Sequence, residues 1–562
     1  MSVNKTFDYI VIGAGTAGGV IAKELTDDKS TSVLVLEEGT NMTNELSSPN
    51  GGTALTLSSD NRFSFNILSK LEQTIGRQLL LSGGRVIGGS SEHNAMLAVR
   101  GSSNLYDEWA IIGGPQWSYN NVRQLFKENE TYTGLTQNPN ERGNDGPIFI
   151  RQQMIPKNGL NTILAKATSD VLGIPIVEDY NTGIIDCTFL KSQFTQKEVG
   201  MKKFVRSSTA TGYLNQHIVT QGDEFDPDEF GVGRRRLAVL AKTTVNKILF
   251  EQNGEVQIAV GVEFVRNGKS QRAFASKGII VSAGNFSSVI LQRSGIGKTS
   301  DLEKAGISTL VESPNVGYNF QTHYAVGIGV EVETTRLLMV MASDPDEPIP
   351  LVAFKRDDGA EQQSGRRLQF LGNVFPRFIP VQDVFINNWD FDQDKPSNIM
   401  SIGIVDVNPK SKGTIMAAHS DPEAYPSVDF NPLNNPEDLK YMVDHYIETY
   451  NVIKRARKLD PDGIYRVVYP SEDIFHLNED QKRSQLANYA KASYNVLNHY
   501  GGQCRMGTNI QDGVVDGFLN VFGTENLKVA DLSIAPILPD GNTALAAQMI
   551  GLNTVKFILD QK

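Results

Sequence analysis

The strand, turn and helix at the N-terminus constrain this chain more than any other feature. Phe7-Asp8-Tyr9-Ile10-Val11-Ile12 is an apolar run ending in Gly13-Ala14-Gly15-Thr16-Ala17-Gly18, and a helix-compatible segment follows to Leu25. Glycines at these spacings let the backbone turn sharply and approach a pyrophosphate, which the unpaired N–H groups and positive dipole end of the helix then hold. A second apolar run, residues 32–36, delivers Glu37, with Glu38 beside it, to a ribose. Glycine-rich turns also close ordinary loops, but here strand, helix and acid agree, so the chain binds a dinucleotide. The pattern alone leaves NAD and FAD open.

With 562 residues, 40% of them apolar, the chain can bury two substantial cores, and two domains are expected. The net charge of −11 argues against a nucleic-acid partner, because phosphate binding needs a basic face. The basic run Arg234-Arg235-Arg236 sits beside the acidic stretch 223–229 and reads as a solvated loop. Cys187 and Cys504 are far apart and lack metal-ligand spacing, so neither a disulfide framework nor a metal site is expected. The first apolar run is already the cofactor strand, and no later stretch reaches the roughly 18 apolar residues of a membrane span. A soluble cytoplasmic protein follows as the expectation.

Residues 40–100 read as polar, Ser/Gly-rich loops leading to Leu81-Ser82-Gly83-Gly84-Arg85-Val86-Ile87-Gly88-Gly89-Ser90-Ser91-Glu92-His93-Asn94, where paired glycines permit close approach to a planar ligand. A helical stretch follows, with Tyr106, Trp109, Trp117, Leu125 and Phe126 as core. Residues 237–240, 245–250 and 259–264 read as strands, with Asn253-Gly254 as a hairpin turn, and 277–284 as a buried strand ending at glycine. Residues 340–366 are rich in Asp, Glu, Pro, Gly and Arg and read as a surface loop. Residues 436–458 form an amphipathic helix whose Leu439, Met442, Tyr446, Tyr450 and Ile453 share a face.

The C-terminal part carries Asn498-His499-Tyr500-Gly501-Gly502-Gln503-Cys504-Arg505-Met506-Gly507, then Val514-Val515-Asp516, Asn526 to Ser533, and Pro539-Asp540-Gly541-Asn542-Thr543-Ala544. With the N-terminal turn, Gly88-Gly89-Ser90-Ser91, Tyr106-Asp107-Glu108-Trp109, Ser294-Gly295-Ile296-Gly297, Asn315-Val316-Gly317-Tyr318-Asn319 and Asn408-Pro409-Lys410-Ser411-Lys412-Gly413, this order resembles the glucose-methanol-choline family of FAD-dependent oxidoreductases nearly end to end. The resemblance implies FAD as cofactor. It also implies an α/β fold: a Rossmann-like FAD-binding domain from residues 1–158, 200–320 and 490–562, and an α+β substrate domain with an antiparallel sheet from 159–199 and 321–489.

The resemblance places His499 as catalytic base and Asn542 as its partner in front of the flavin, at the interval the family shows. Histidine titrates near neutral pH and can take a hydroxyl proton while hydride leaves the carbon for flavin N5, and an asparagine amide can donate to the developing alkoxide. Gly13, Gly15, Gly18 and Glu37 are assigned to the ADP half, and Val245 to the adenine. Gly88, Ser90, Asn94 and Ala95 are assigned to the isoalloxazine and ribityl part, and Asp531 to the ribityl-phosphate region. Thr16, Ala17, Glu38, Arg85, Val86, Gly89, Ala283, Leu532, Asn542 and Thr543 complete the cofactor set. His93 has the spacing of the choline-oxidase-like members, which join this histidine covalently to the flavin methyl; the alternative is a histidine that lies near the ring without a bond or merely fills space. The chain departs from the family in having Tyr500-Gly501-Gly502-Gln503 after the histidine, where Pro-Val-Gly-Thr is common, and Ser288 where proline is common.

The implied activity is oxidation of a small-molecule alcohol, with oxygen or another electron acceptor regenerating the flavin. The rival within the same fold is a hydroxynitrile lyase or a flavin photoenzyme, which keeps FAD without net alcohol oxidation. A catalytically silent flavin protein is a third reading, against which the retention of His499 and Asn542 speaks.

Overall fold

The computed structural model describes residues 6–41, 60–183, 186–200, 203–219, 231–254, 256–344, 349, 351–356, 367–373, 380–381, 384–385 and 398–560. The acidic stretch 223–229 lies outside them, and Arg235 beyond it pairs with Asp27 at 2.7 Å. Strand β1 (Thr6–Ile12) runs through the turn into helix α1 (Gly18–Leu25) and on to β2 (Val33–Leu36). Further strands β3 (Leu237–Leu240), β4 (Thr243–Asn253), β5 (Val256–Arg266) and β6 (Lys269–Val281) complete a sheet in the order β3-β2-β1-β6-β5-β4. The strands β3, β2, β1 and the end of β6 are mutually parallel, and the short strand Leu527–Val529 adds to β6 in the same direction. All four residues of β2 and of β3 are buried, as expected of parallel strands covered on both faces.

Register explains where the ligand edge falls. Ile12 pairs with Leu36 and Val281, Leu36 with Leu240, and Val281 with Val529, so five strands end level with one another. The residues that follow them, Gly13, Glu37, Ala241, Ser282 and Ala530, therefore open on one edge, the carboxyl edge where open α/β sheets bind ligands. The hairpin joining β4 to β5 turns at Gly254, φ +63°, with Asn253 still paired to Val256, one residue later than its sequence suggests.

A second sheet is antiparallel along its central strands: β7 (Tyr324–Val332), β8 (Val352–Arg356), β9 (Arg367–Asn373), β10 (Ile399–Asp406) and β11 (Ile464–Tyr469), ordered β11-β7-β10-β9-β8 and extended by Cys187–Phe189 and Ile176–Val177. The helix Pro436–Leu459 packs on it with Met442, Tyr446, Tyr450 and Ile453 buried and Leu439 partly buried, the face its sequence gives it. Asn495–Val496 pairs with β7, which carries the backbone from this sheet straight into the His499 turn.

Two sequence readings are corrected. Residues 340–366 are not one surface loop: the helix Thr334–Ser343 reaches into them, and β8 lies among them between Cys187–Phe189 and β9. Its short apolar run, Leu351 to Phe354, is hidden by charged flanks, and its pairing partners are distant in the chain. Residues 40–100 hold more than loops, because Ser64–Leu68 and Leu80–Gly84 form a hairpin that contributes Phe65, Ile67, Leu79 and Leu81 to the core of the second sheet. Tyr106 and Trp109 on the helix Ser103–Gly113, Trp117 on the short helix Pro115–Trp117, and Leu125 and Phe126 on the helix Tyr119–Asn129 are buried in the first core. Cys187 and Cys504 are buried free thiols. Among the described residues, no helix is long and apolar enough to cross a membrane.

Candidate active site

A cleft of about 1360 Å³ runs from the carboxyl edge of the first sheet to the second sheet. Gly13 opens it with φ +98°, where a Cβ would lie 2.5 Å from the Ser282 carbonyl oxygen, and a Cβ on Gly18 would meet the Gly13 oxygen at 2.1 Å. The first glycine makes the turn and the third lets α1 sit close on β1. A Cβ on Gly89 would come within 2.8 Å of Gly15 Cα, so the two glycine turns lie back to back, tied by the Gly88 N–H to the Ala14 oxygen at 2.8 Å. Helix α1 begins without a side-chain cap, and Thr16 and Ala17 line the cleft at its start, which leaves its first N–H groups for an anion.

Glu37 stands at the end of β2 with both carboxylate oxygens on backbone: Oε2 accepts from Ala14 N at 2.9 Å and Oε1 from Gly39 N at 2.8 Å. Burial raises its pKa to about 7. Glu38 also lines the cleft, with Arg85 Nε 3.5 Å from its Oε1. Val245, on β4, lines the same end. In the middle, Ala283 and Leu532 line the wall, and Asp531 fixes it. Its Oδ2 accepts from Gly284 N at 2.8 Å and from Ser287 Oγ at 2.5 Å, while Oδ1 accepts from Ser533 N at 2.8 Å. Desolvation raises the Asp531 pKa, so these three donors serve to hold its charge.

Ser90, His93, Asn94 and Ala95 line the cleft beyond Gly89. Arg206 Nη1 donates to Asn94 Oδ1 at 2.8 Å. His93 is buried, its pKa pushed down to about 4 by desolvation first and by the Arg206 charge second. Its Nε2 is buried without a hydrogen-bond partner among the described residues, beside the cleft.

His499 closes the far end, opposite the glycine turns. Its ring keeps some contact with the cleft, yet the protein around it lowers its pKa to about 4 through desolvation. Asn542 Nδ2 faces His499 Nε2 at 3.2 Å, and His499 Nδ1 lies 2.9 Å from Nδ1 of His323. His323 is fully buried, and desolvation, His499 and Lys412 hold its pKa well below the ordinary histidine value. Tyr500 stacks on Phe320, and its hydroxyl donates to the Leu80 oxygen at 3.0 Å. Thr543 and Ala544 begin the helix Ala544–Leu559, which also lacks a side-chain cap and opens on the cleft.

Of the residues singled out in the sequence, Gly18, Val86 and Gly88 stand behind the lining and shape it, while the others line one continuous cleft. The lining fits a dinucleotide with a planar ring: two uncapped helix starts, a carboxylate at a strand end, back-to-back glycine turns and an unpartnered histidine nitrogen. Two residues escaped the sequence reading. His323 follows the Asn315-to-Asn319 motif by four positions, a signal that was present; Gln369, on β9, lies in a stretch without a recognisable pattern.

Models of the GMC oxidoreductase family match residues 7–325 and 409–551. The chain is 28% identical to oxygen-dependent choline dehydrogenase of Sinorhizobium medicae over 99% of its own length and 96% of the relative's. It is 27% identical to 5-(hydroxymethyl)furfural oxidase of Methylovorus sp., over 99% of each. Formate oxidase has the same fold, with a TM-score of 0.81 at 20% identity over 100% of this chain and 99% of that one. Pyridoxine 4-oxidase from Mesorbium loti superposes with a TM-score of 0.78 at 21% identity, over 98% and 99%. Matched by family models over most of its length, and sharing the two-sheet fold of these oxidases, the chain belongs to the GMC oxidoreductase family.

Proposed function

We propose that this protein oxidises an alcohol to an aldehyde or ketone with FAD, using His499 as general base. The observation that carries the reading is His499 Nε2, held 3.2 Å from the Asn542 amide in the cleft that the glycine turns also line. Gly13, Gly15, Thr16, Ala17, Glu37, Glu38 and Val245 would hold the ADP half, and Arg85, Gly89, Ser90, His93, Asn94, Ala95, Ala283, Asp531, Leu532 and Thr543 the rest. Bound there, FAD supplies the acceptor for the hydride that leaves the carbinol carbon. His499, neutral because it is desolvated, takes the hydroxyl proton at Nε2. Asn542 Nδ2 donates to the oxygen as its negative charge grows. Tyr500, Phe65, Phe286 and Leu371 give the cleft an apolar wall in which the body of an alcohol excludes water. The choline dehydrogenase and hydroxymethylfurfural oxidase among the relatives point to the same reaction class.

The test is anaerobic mixing of the purified yellow protein with a panel of alcohols. Bleaching of the flavin by at least one of them, with release of the carbonyl product, supports the reading. A flavin that stays oxidised with every alcohol while a cyanohydrin is cleaved replaces it with the lyase.

A further inference from the structure

Gln369 lies on β9 in the antiparallel sheet, yet its carboxamide reaches across to the loop that carries Asn542. It is buried, lines the cleft, and its Nε2 donates to Asn542 Oδ1 at 3.2 Å. We propose that Gln369 is a positioning residue that sets which end of the Asn542 amide faces His499, and thereby which ring nitrogen of His499 is free to accept a proton. The inference rests on His499 being the base, as proposed above.

The orientation follows from donor and acceptor counts. Once Asn542 Oδ1 accepts the hydrogen bond from Gln369 Nε2, Asn542 presents Nδ2 to His499 Nε2. An N–H needs a lone pair opposite, so the neutral ring carries its proton on Nδ1. That proton is donated to His323 Nδ1 at 2.9 Å, which leaves the His323 proton on Nε2, with the Pro539 backbone beside the ring. The lone pair of His499 is thus set on the cleft side before any substrate enters. Turned by half a rotation, Asn542 would offer Oδ1, and the ring would carry its proton on Nε2 with its lone pair aimed at His323. That ring could not accept the hydroxyl proton.

The strand is fastened for this task. Residues 367 and 369 share a face of β9 because side chains alternate along a strand. Arg367 Nε lies 3.0 Å from Asp540 Oδ2 and its Nη2 donates to Glu108 Oε1 at 3.0 Å. Asp540 also accepts from Ser102 N at 2.8 Å. Two rungs, 367 to 540 and 369 to 542, therefore tie the second sheet to the loop that holds Asn542.

The test uses the FAD-loaded protein labelled with ¹⁵N-histidine, with His499 assigned from the spectrum of a His499→Gln variant. Wild-type protein is expected to show His499 protonated on Nδ1. Gln369→Glu keeps the size but only accepts at neutral pH, so it should move that proton to Nε2 and slow flavin reduction about tenfold to a hundredfold, with substrate affinity changing less. In an Asn542→Ala background, Gln369→Met should cost less than about twofold, because its partner is already gone. An unchanged tautomer in Gln369→Glu, or an equal loss from Gln369→Met with and without Asn542, overturns the proposal. Gln369→Met repeats the tautomer measurement if the glutamate disturbs folding. If no alcohol reduces wild-type protein the functional reading fails, while the ¹⁵N spectrum still decides whether Gln369 orients Asn542.

Discussion

At the residue scale the site turns on His499, which faces Asn542 through Nε2 and His323 through Nδ1. Replacing it by alanine should lower the rate of flavin reduction by about 10²–10⁴, the usual worth of a positioned base, while FAD stays bound by other segments. Asn542→Ala should cost about 10²–10³, as the loss of one donor to the developing oxyanion. Stopped-flow absorbance measures both, and near-normal reduction in His499→Ala would reassign the base. A base at His499 works only when neutral, and desolvation brings the His499 pKa down to about 4. The acid limb of the kcat/KM profile should therefore fall below histidine's ordinary value of about 6.5. A limb at or above that value would contradict the burial argument. His93 invites a different measurement, because its buried Nε2 lacks a hydrogen-bond partner and its low pKa keeps the lone pair available. A bond from this nitrogen to the flavin methyl should leave the yellow colour in an acid-precipitated pellet and raise the intact mass by one FAD. In His93→Ala the flavin should pass to the supernatant. If the wild-type supernatant holds all the FAD, His93 is a non-covalent neighbour.

At the scale of the element, the site is an edge and a clamp. Level strand ends put Gly13, Glu37 and Ser282 side by side, and the turn at Gly13 has no room for a side chain. Gly13→Ala forces both an unfavourable φ and a clash with the Ser282 oxygen, so the protein should purify without FAD, which its visible spectrum would reveal at once. The clamp is β9. Arg367, Glu108 and Asp540 are all nearly inaccessible, and Arg367→Met leaves two buried carboxylates near each other without the guanidinium that bridges them. Breaking one side of a buried ion cluster costs about 3–5 kcal/mol, so the thermal midpoint should drop clearly. A midpoint equal to wild type would mean that the loop carrying Asn542 is held by something else.

Across the whole molecule, the same burial that tunes the site makes it sensitive to acid. His93, His323 and His499 all have pKa values below the ordinary one, mainly because the fold desolvates them. Unfolded, they bind protons as the pH falls through about 6.5; folded, His93 and His499 resist until about 4. Their contribution to stability is therefore complete above 6.5 and is lost as the pH falls towards 4. Glu37 runs the other way, since its pKa is raised to about 7: its share is present below the ordinary value of 4.5 and is lost as the pH rises through 7. Denaturant midpoints between pH 7 and pH 4 should fall, and the fall should shrink in a His93→Phe variant, which removes one of the three histidines. An unchanged slope in that variant would place the acid sensitivity elsewhere.

What is local or punctuated was legible in the amino-acid order. The strand, glycine turn and helix at the N-terminus need only neighbours in the chain, and so do the apolar stripe of Pro436–Leu459 and the family motifs around His499. Tertiary structure decided what depends on distant partners. The strand β8 looked like loop because its hydrophobic run is short and its pairing strands lie elsewhere in the chain. The contact of His323 with His499 spans 176 positions, and that of Gln369 with Asn542 spans 173. His323 follows a motif by four positions, but a single glutamine carries no local mark of such a contact. Its role depends on a hydrogen bond of about 3 Å, which exists only once two sheets with separate cores have been packed against one cleft.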